Sequence, residues 1–347
     1  MKYVGIDLHK QSITLCVVDR ERTVLQTRRF LCADTARLDA SFATLGPFQV
    51  VVEATASYEW LLQHIEPLAQ RIVLAHPGKL RIIAESTRKS DKLDARLLAE
   101  FLALDMIPEA YRPTPRQREH RALVRQRQFL QKERTQLRNK IRRIFSDYNA
   151  DRRDLFARLD AAFLDGSALS AIDRFVVLQL LEQLRLLELQ LKLLRGRLQA
   201  FAAQGSDRER RQRQVLRSVP GVGEVTCDVV LAELGDVSRF RSAKQVVAYA
   251  GLAPGRRESA GKCRDLGITK QGSPLLRWVL VEAGWQLVRR SAYWQGSYRR
   301  LKQRRGSRRA IVAVARRLLG VLVALLRRDQ EDRAPPSGVP SGEIIMR

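Results

Sequence analysis

Two carboxylates three residues apart, Asp91 and Asp94, stand in the stretch Lys89-Ser90-Asp91-Lys92-Leu93-Asp94-Ala95-Arg96-Leu97-Leu98. It reads as a helix start: Ser90 is a favoured N-cap, and Leu97, Leu98, Phe101 and Leu102 supply an apolar face one to two turns later. At that spacing both carboxylates leave the same side of the helix, and they repel unless a proton or a cation lies between them. Mg²⁺ suits such a pair, because it takes one or two carboxylates together with substrate phosphates. The helix dipole alone also favours Asp at a helix start, so the rest of the chain has to decide. Asp7 follows the apolar run Tyr3 to Ile6, inside a strand that should be buried, where a lone carboxylate needs a partner or a metal. Glu53 closes the strand-like Phe48-Gln49-Val50-Val51-Val52, and ligand sites in open α/β sheets lie at such carboxyl ends.

The elements that must position these acids follow in order. Residues 3–6 and 12–18 read as a β-hairpin, Thr23 to Phe30 as a third strand and Ala33 to Leu45 as a helix. Then come the strand ending at Glu53, a helix over Tyr58 to Leu68, a strand over Arg71 to Ala75, and the helix carrying Asp91 and Asp94. Acids in the order Asp7, Glu53, Asp91, Asp94 on that framework match the ribonuclease-H-like plan, in which four carboxylates converge on two metal ions about 3.5–4 Å apart for phosphoryl transfer. Gly5-Ile6-Asp7, Val52-Glu53-Ala54-Thr55 and Lys89-Ser90-Asp91-Lys92-Leu93-Asp94-Ala95 resemble the three acidic motifs of the DEDD insertion-element transposases, Piv-invertase-like recombinases with a RuvC-like N-terminal domain. An actin-like ATPase also opens with Gly-Ile-Asp, but Leu8-His9-Lys10 lacks the glycine and hydroxyl its phosphate loop requires. His9 itself reads as a structural residue beside a strand.

The 347 residues carry 63 basic and 37 acidic side chains, net +26, with 45% hydrophobic content. That balance describes a globular protein with a polyanionic partner, nucleic acid by default. Cys16, Cys32, Cys227 and Cys263 make no Cys-x-x-Cys pair, which argues against a zinc site or a disulfide framework and for a reducing cytoplasm. Ala310 to Leu326 is interrupted by Arg316 and Arg317 and is too short and charged to span a bilayer, so no membrane partner is expected.

Pro108 to Pro115 reads as a linker, after which Thr114-Pro115-Arg116-Gln117 opens a long helix. Leu123, Leu130, Leu137 and Ile144 recur every seven residues, and from Arg116 to Arg143 there are eleven Lys or Arg against two Glu. So lopsided a sign points to phosphate contact, with Arg116, Arg125, Lys132, Arg138 and Arg142 as candidate nucleic-acid-binding residues. A second helix, Ala171 to Ala203, carries a heptad seam of Val177, Leu180, Leu184, Leu187, Leu191, Leu194, Leu198 and Phe201. The two should form a coiled-coil arm folded back at residues 150–166, closing within one chain or between chains. Gln204 to Gln214 reads as a polar hinge. Val215 to Thr226, with Pro220-Gly221-Val222-Gly223 at its turn, reads as a helix-hairpin-helix whose Gly221 and Gly223 allow close approach of a phosphate.

Ser242 to Pro254 and Gly267 to Arg277 resemble the second domain of the same transposases. Between them Arg256-Arg257-Glu258-Ser259-Ala260-Gly261-Lys262 reads as a loop with basic neighbours, and Arg256, Arg257, Lys262 and Lys270 are further nucleic-acid-binding candidates. In the family the serine of this Ser-x-Gly stretch attacks DNA, so the resemblance assigns that role to Ser259. Ser273 instead looks like an N-cap for a helix over Pro274 to Val288. Trp278 and Trp285 are expected in the core, Trp294 less so, and Arg299 to Arg317 should track phosphates.

The expected architecture is α/β plus α: a RuvC-like mixed-sheet catalytic domain over 1–112, a basic coiled-coil arm over 113–205, a mainly helical C-terminal transposase domain over 206–328, and a disordered tail over 329–347. The resemblance implies a transposase that cuts and rejoins element DNA by serine attack, with Mg²⁺ (two ions per site, Mn²⁺ as substitute) held by Asp7, Glu53, Asp91 and Asp94. It also implies double-stranded DNA partners at element ends and target, an element-encoded structured RNA guide, and a dimer or tetramer at the bacterial nucleoid. The rivals are a RuvC-like nuclease or junction resolvase that uses water in place of Ser259, and a non-catalytic nucleic-acid scaffold, against which the complete acid set argues.

Overall fold

The computed structural model describes residues 1–54, 57–83, 91–259 and 262–329. They fall into two compact units, the first Met1–Arg112 and the second beginning at Pro113.

In the first unit, β1 (Lys2–Leu8), β2 (Ser12–Val18) and β3 (Val24–Leu31) form an antiparallel meander, followed by α1 (Thr35–Ala43), β4 (Phe48–Glu53), α2 (Tyr58–Ile65), β5 (Arg71–Ala75), α3 (Pro77–Ile83) and α4 (Asp91–Ala103). β4 and β5 add in parallel to β1, giving the mixed order β3-β2-β1-β4-β5. Alternation along the central strands divides their side chains between two cores. Val4, Ile6, Leu8, Val50 and Val52 pack with Phe42, Leu61, Leu62 and Ile65 of α1 and α2, while Val51 turns to the opposite face with Leu98 and Leu102 of α4. β2 is buried at every position, as a strand covered on both faces must be, whereas β3 is an edge with Arg28 and Arg29 exposed. This mixed five-stranded α/β unit is consistent with the ribonuclease-H-like expectation.

The second unit opens with α5 (Pro115–Asp147), continues through the short α6 (Leu155–Arg158) and α7 (Ala161–Asp165), and returns along α8 (Ala171–Ala203). Thr114 caps α5 by accepting from the Gln117 amide at 3.2 Å, and Ser170 caps α8 by accepting from the Asp173 amide at 3.0 Å. The Tyr148 hydroxyl donates to Asp173 at 2.5 Å and closes the far end of this antiparallel hairpin, over a core of Ile141, Phe145, Leu155, Leu164, Val177 and Leu184. In mid-hairpin Leu187, Leu191 and Leu194 are only half-buried, and Leu186, Leu189 and Leu193 face solvent.

Beyond it lie α9 (Asp207–Arg217), α10 (Glu224–Leu234), a 3₁₀ turn, α11 (Ala243–Tyr249), a ribbon of β6 (Pro254–Ser259) and β7 (Lys262–Ile268), α12 (Pro274–Arg290), α13 (Ala292–Arg305) and α14 (Ser307–Arg328). Val124 of α5 and Leu198 of α8 share one core with Leu216, Val230, Leu280 and Leu319, so the base of the arm is built into the C-terminal helices.

Three sequence expectations are corrected. The polar hinge at 204–214 is largely helix: Ser206 accepts from the Glu209 amide at 3.3 Å, Asp207 and Glu209 suit the first turn, and buried Val215 and Leu216 anchor its end. Of the stretch read as a basic loop, residues 256–259 lie in β6 and Lys262 begins β7, and these charged residues carry no apolar alternation because a two-stranded ribbon has no core of its own. Trp278 is 44% exposed rather than in the core. Trp285, in contrast, packs edge-on against Tyr298 with ring centroids 5.3 Å apart. The Ser90 cap, Thr55, Gly261 and the tail from residue 330 lie outside the described residues.

Candidate functional site

In the first unit the strand register sets two of the acids side by side. Ile6 pairs with Val52 across the parallel β1/β4 ladder, so the next residues, Asp7 and Glu53, stand side by side at the strands' carboxyl ends. Adjacent strands run about 4.8 Å apart. Val4, Ile6, Val50 and Val52 share the α1/α2 face, so alternation turns Asp7 and Glu53 to the other face, where α4 lies. α4 approaches unusually closely because residue 5 is glycine. A Cβ there would sit 2.0 Å from the Ala95 carbonyl oxygen and 2.5 Å from the Ala99 nitrogen. Small residues at 95 and 99, both fully buried, complete that contact. The crossing point lies directly after Asp94, which is partly exposed, and one turn beyond Asp91, whose side chain is outside those described.

His9 is the residue that sequence reasoning set aside. Its amide donates to the Ser12 carbonyl at 2.9 Å, folding the β1–β2 turn back, and its Nε2 lies 3.0 Å from Asp7 Oδ2. The signal was the i,i+2 spacing past a strand end, which only the turn geometry converts into contact. Among the described residues no group of three or more His, Cys, Asp or Glu is assembled as a metal-ligand cluster. The donor chemistry nonetheless fits a hard divalent cation: carboxylate oxygens from two adjacent strand ends and one closely apposed helix.

In the second unit Ser259 is the last residue of β6 and pairs with Lys262 across the ribbon. The side chains of Arg256, Arg257, Ser259 and Lys262 lie outside those described; Lys270 follows the ribbon, exposed, at φ +57°. Ser273 is an N-cap, accepting from the Leu276 amide at 3.2 Å. Gly221, at φ +86°, backs onto α12, where a Cβ would meet Gln286 and Leu287 at 3.0 Å. Gly223 begins α10 with open space beside it.

The arginines assigned to phosphate contact on α5 have partners within the unit. Arg116 donates to Glu209 at 2.7 Å and stacks on Phe201 at 4.0 Å. Arg125 grips Glu233 at 3.0 and 3.1 Å, and Arg142 pairs with Asp151 at 2.7 Å. Arg138 lies 4.1 Å over the Phe156 ring, and Lys132 is exposed. Beside them Arg213 and His120 share Asp228, at 2.6 and 3.1 Å. Glu209 shows the balance of forces: burial pushes its carboxyl up, but hydrogen bonds and charge from Arg116 outweigh this and hold it low. Because the Glu233 side chain is 3% exposed while that of Arg125 is 59% exposed, Arg125→Ala is expected to leave the carboxylate short of donors, with water as a partial replacement, and cost about 1–3 kcal/mol. Lys132→Ala should change stability by no more than about 0.5 kcal/mol. Urea unfolding of the two variants separates a joint residue from a surface one.

Comparison with known proteins adds an independent line. A transposase model for the DEDD domain of IS110-type elements matches residues 4–150, and the model of the transposase IS116/IS110/IS902 family matches residues 213–299. The chain is 28% identical to the transposase for insertion sequence element IS1111A of Coxiella burnetii, over 96% of this chain and 92% of that protein. It is 31% identical to y4rJ of Sinorhizobium fredii, a transposase by name, over 80% of this chain and 76% of the other. It is also 23% identical to a pilin gene-inverting protein of Moraxella bovis, covering 94% and 96% of the two chains.

Proposed function

The chain belongs to the DEDD-type insertion-element transposases of the IS110/IS116 kind, DNA-binding enzymes of transposition, and from that premise we propose that it cuts and rejoins element DNA by serine attack assisted by a divalent metal. The observation that supports the metal half is the β1/β4 register, which sets Asp7 beside Glu53, together with the Gly5–Ala95 contact, which lays α4 against β1. Asp7, Glu53, Asp91 and Asp94 hold the cation, Mg²⁺ or in its place Mn²⁺. When bound, it neutralises charge on the scissile phosphate.

Ser259 supplies the nucleophile. Its Oγ forms a bond to phosphorus as the bond from phosphorus to the departing strand end breaks. The serine proton passes to a base and the leaving oxygen gains one. A strand end from the partner duplex then attacks the phosphoserine and releases Ser259, so the bond energy is conserved without ATP. Arg256, Arg257 and Lys262 of the ribbon, Lys270 beyond its base, and the arm's Lys132 and Arg138 hold phosphates.

An element-encoded structured RNA pairs with donor and target DNA in this reading, and the +26 charge suits RNA and DNA alike. Self-association into a dimer or tetramer is supported by exposed Leu186, Leu189 and Leu193 on α8.

The test is a denaturing gel of protein incubated with element-end DNA, its RNA and Mg²⁺, followed by peptide mapping of any DNA-linked product. A phosphodiester on Ser259 is expected. Strand cleavage with no protein–DNA adduct would overturn the serine step and leave a water-using nuclease. Omitting the RNA should remove the adduct, and light scattering should give more than one protomer.

A further inference from the structure

The basic stretch near the C-terminus is used by none of the chemistry above. From Ala283 to Arg328 there is no Asp or Glu, against thirteen Lys or Arg. Seven of the thirteen fall between residues 299 and 309, where α13 turns into α14, and all seven are exposed. Among the described contacts none of the seven meets a carboxylate, whereas Arg116, Arg125, Arg142 and Arg213 each do. The corner is also braced by local contacts. Gly306 turns the chain at φ +77°, the Tyr298 hydroxyl and Ser307 Oγ share a hydrogen bond of 2.7 Å, and Arg317 donates to Ser297 Oγ at 2.5 Å. Beneath it Tyr298, Ala310, Ile311 and Val314 form a small core.

The sequence defies a local rule here. α14 begins with Arg308 and Arg309, has no acid in its first turn, and its cap, Gly306, offers no side-chain acceptor. Two cations at the positive end of a helix dipole are unfavourable in the free protein, and an anion laid across the corner reverses the sign of that interaction. From Trp294 to Arg309 no aromatic side chain is exposed, Tyr298 being buried and Trp294 partly so. The corner therefore offers charge without a stacking platform, which suits a duplex backbone rather than unpaired bases.

We propose that the α13–α14 corner is a sequence-independent clamp for the phosphate backbone of duplex DNA, with Arg304, Arg305, Arg308 and Arg309 at its centre. This rests on the DNA reading above but not on the serine step. The four central arginines lie past residue 299, beyond the stretches matched by the two family models.

The experiment is fluorescence anisotropy of the full chain on duplexes of about 30 base pairs and unrelated sequence, across a salt series. Each phosphate contact contributes about 0.9 to the slope of log K against log salt. Changing all four arginines to Gln is expected to lower that slope by about 3–4 on every duplex and to weaken binding at least about tenfold. The same four changed to Lys should keep most of it. The pairs Arg304/Arg305 and Arg308/Arg309, changed to Gln separately, should each remove about half. An unchanged slope in a variant whose thermal melt matches the parent would overturn the clamp. Loss on a structured RNA with the DNA slope retained would overturn the assignment to duplex DNA. Adduct formation by the parent protein with element-end DNA, its RNA and Mg²⁺ is read in parallel. If the parent forms none, the serine step fails and the slope result stands by itself.

Discussion

Ser259→Ala is expected to stop strand exchange outright, a loss on the order of 10⁴-fold or more, while duplex affinity stays within about twofold. The asymmetry follows from roles. A nucleophile contributes only once its bond to phosphorus begins to form, so removing one oxygen leaves ground-state DNA contacts intact. Asp7→Asn should also block the reaction, by on the order of 10²–10³-fold or more, but with a different signature. The amide keeps the shape and loses the charge, so the metal concentration needed for half-maximal activity should rise; in Ser259→Ala it governs nothing, because no product forms. Strand exchange in radiolabelled element DNA, titrated with Mg²⁺, separates the two. Mixing the two dead variants adds a second reading. Recovered activity means that the acid set and the serine may come from different chains, and no recovery at any ratio means that one chain must carry both. Full activity of Ser259→Ala would remove the serine from the mechanism.

The strands that carry Asp7 and Glu53 were legible because a continuous apolar run is a strong local signal. Val50, Val51 and Val52 announce a covered strand, and a carboxylate next to such a run is costly unless it is used. The contact that brings the helix of Asp91 and Asp94 onto β1 was not legible, since a glycine in a strand does not say what lies against it. Nor was the fate of the α5 arginines. Counting eleven cations against two acids within one helix overlooks acids 93 and 108 residues away, and Glu209 and Glu233 claim Arg116 and Arg125. Part of the surplus that remains lies at the α13–α14 corner, where Ala283 to Arg328 holds no Asp or Glu and none of the described ion pairs involves the seven cations. Helix starts were easier to read than polar composition. Thr114, Ser170 and Ser273 cap where a hydroxyl precedes an apolar pattern, while α9 was hidden by its charge although Ser206 and Glu209 carried the same signal.

Gly5→Ala should be the most damaging single methyl in the first unit. The added carbon would meet backbone atoms, the Ala95 carbonyl oxygen and the Ala99 nitrogen, and a backbone helix cannot step aside as a flexible side chain can. Either α4 lifts from the sheet or β1 bends, at a cost of about 1–3 kcal/mol or more. Either movement carries the residue before Ala95, Asp94, and the turn bearing Asp91 away from Asp7 and Glu53. A misplacement of about 1 Å in a reacting site costs on the order of 10²-fold. Activity should therefore fall by at least that factor at temperatures where circular dichroism shows the variant still folded. Gly196→Ala is the matched control. That glycine lies exposed in the middle of α8 with nothing within 4 Å of its added carbon, so the substitution should stabilise by about 0.5–1 kcal/mol and leave strand exchange unchanged. A fully active Gly5→Ala protein would mean that close apposition of α4 to β1 is not what holds the acids in place, and the metal reading of the first unit would lose its main support.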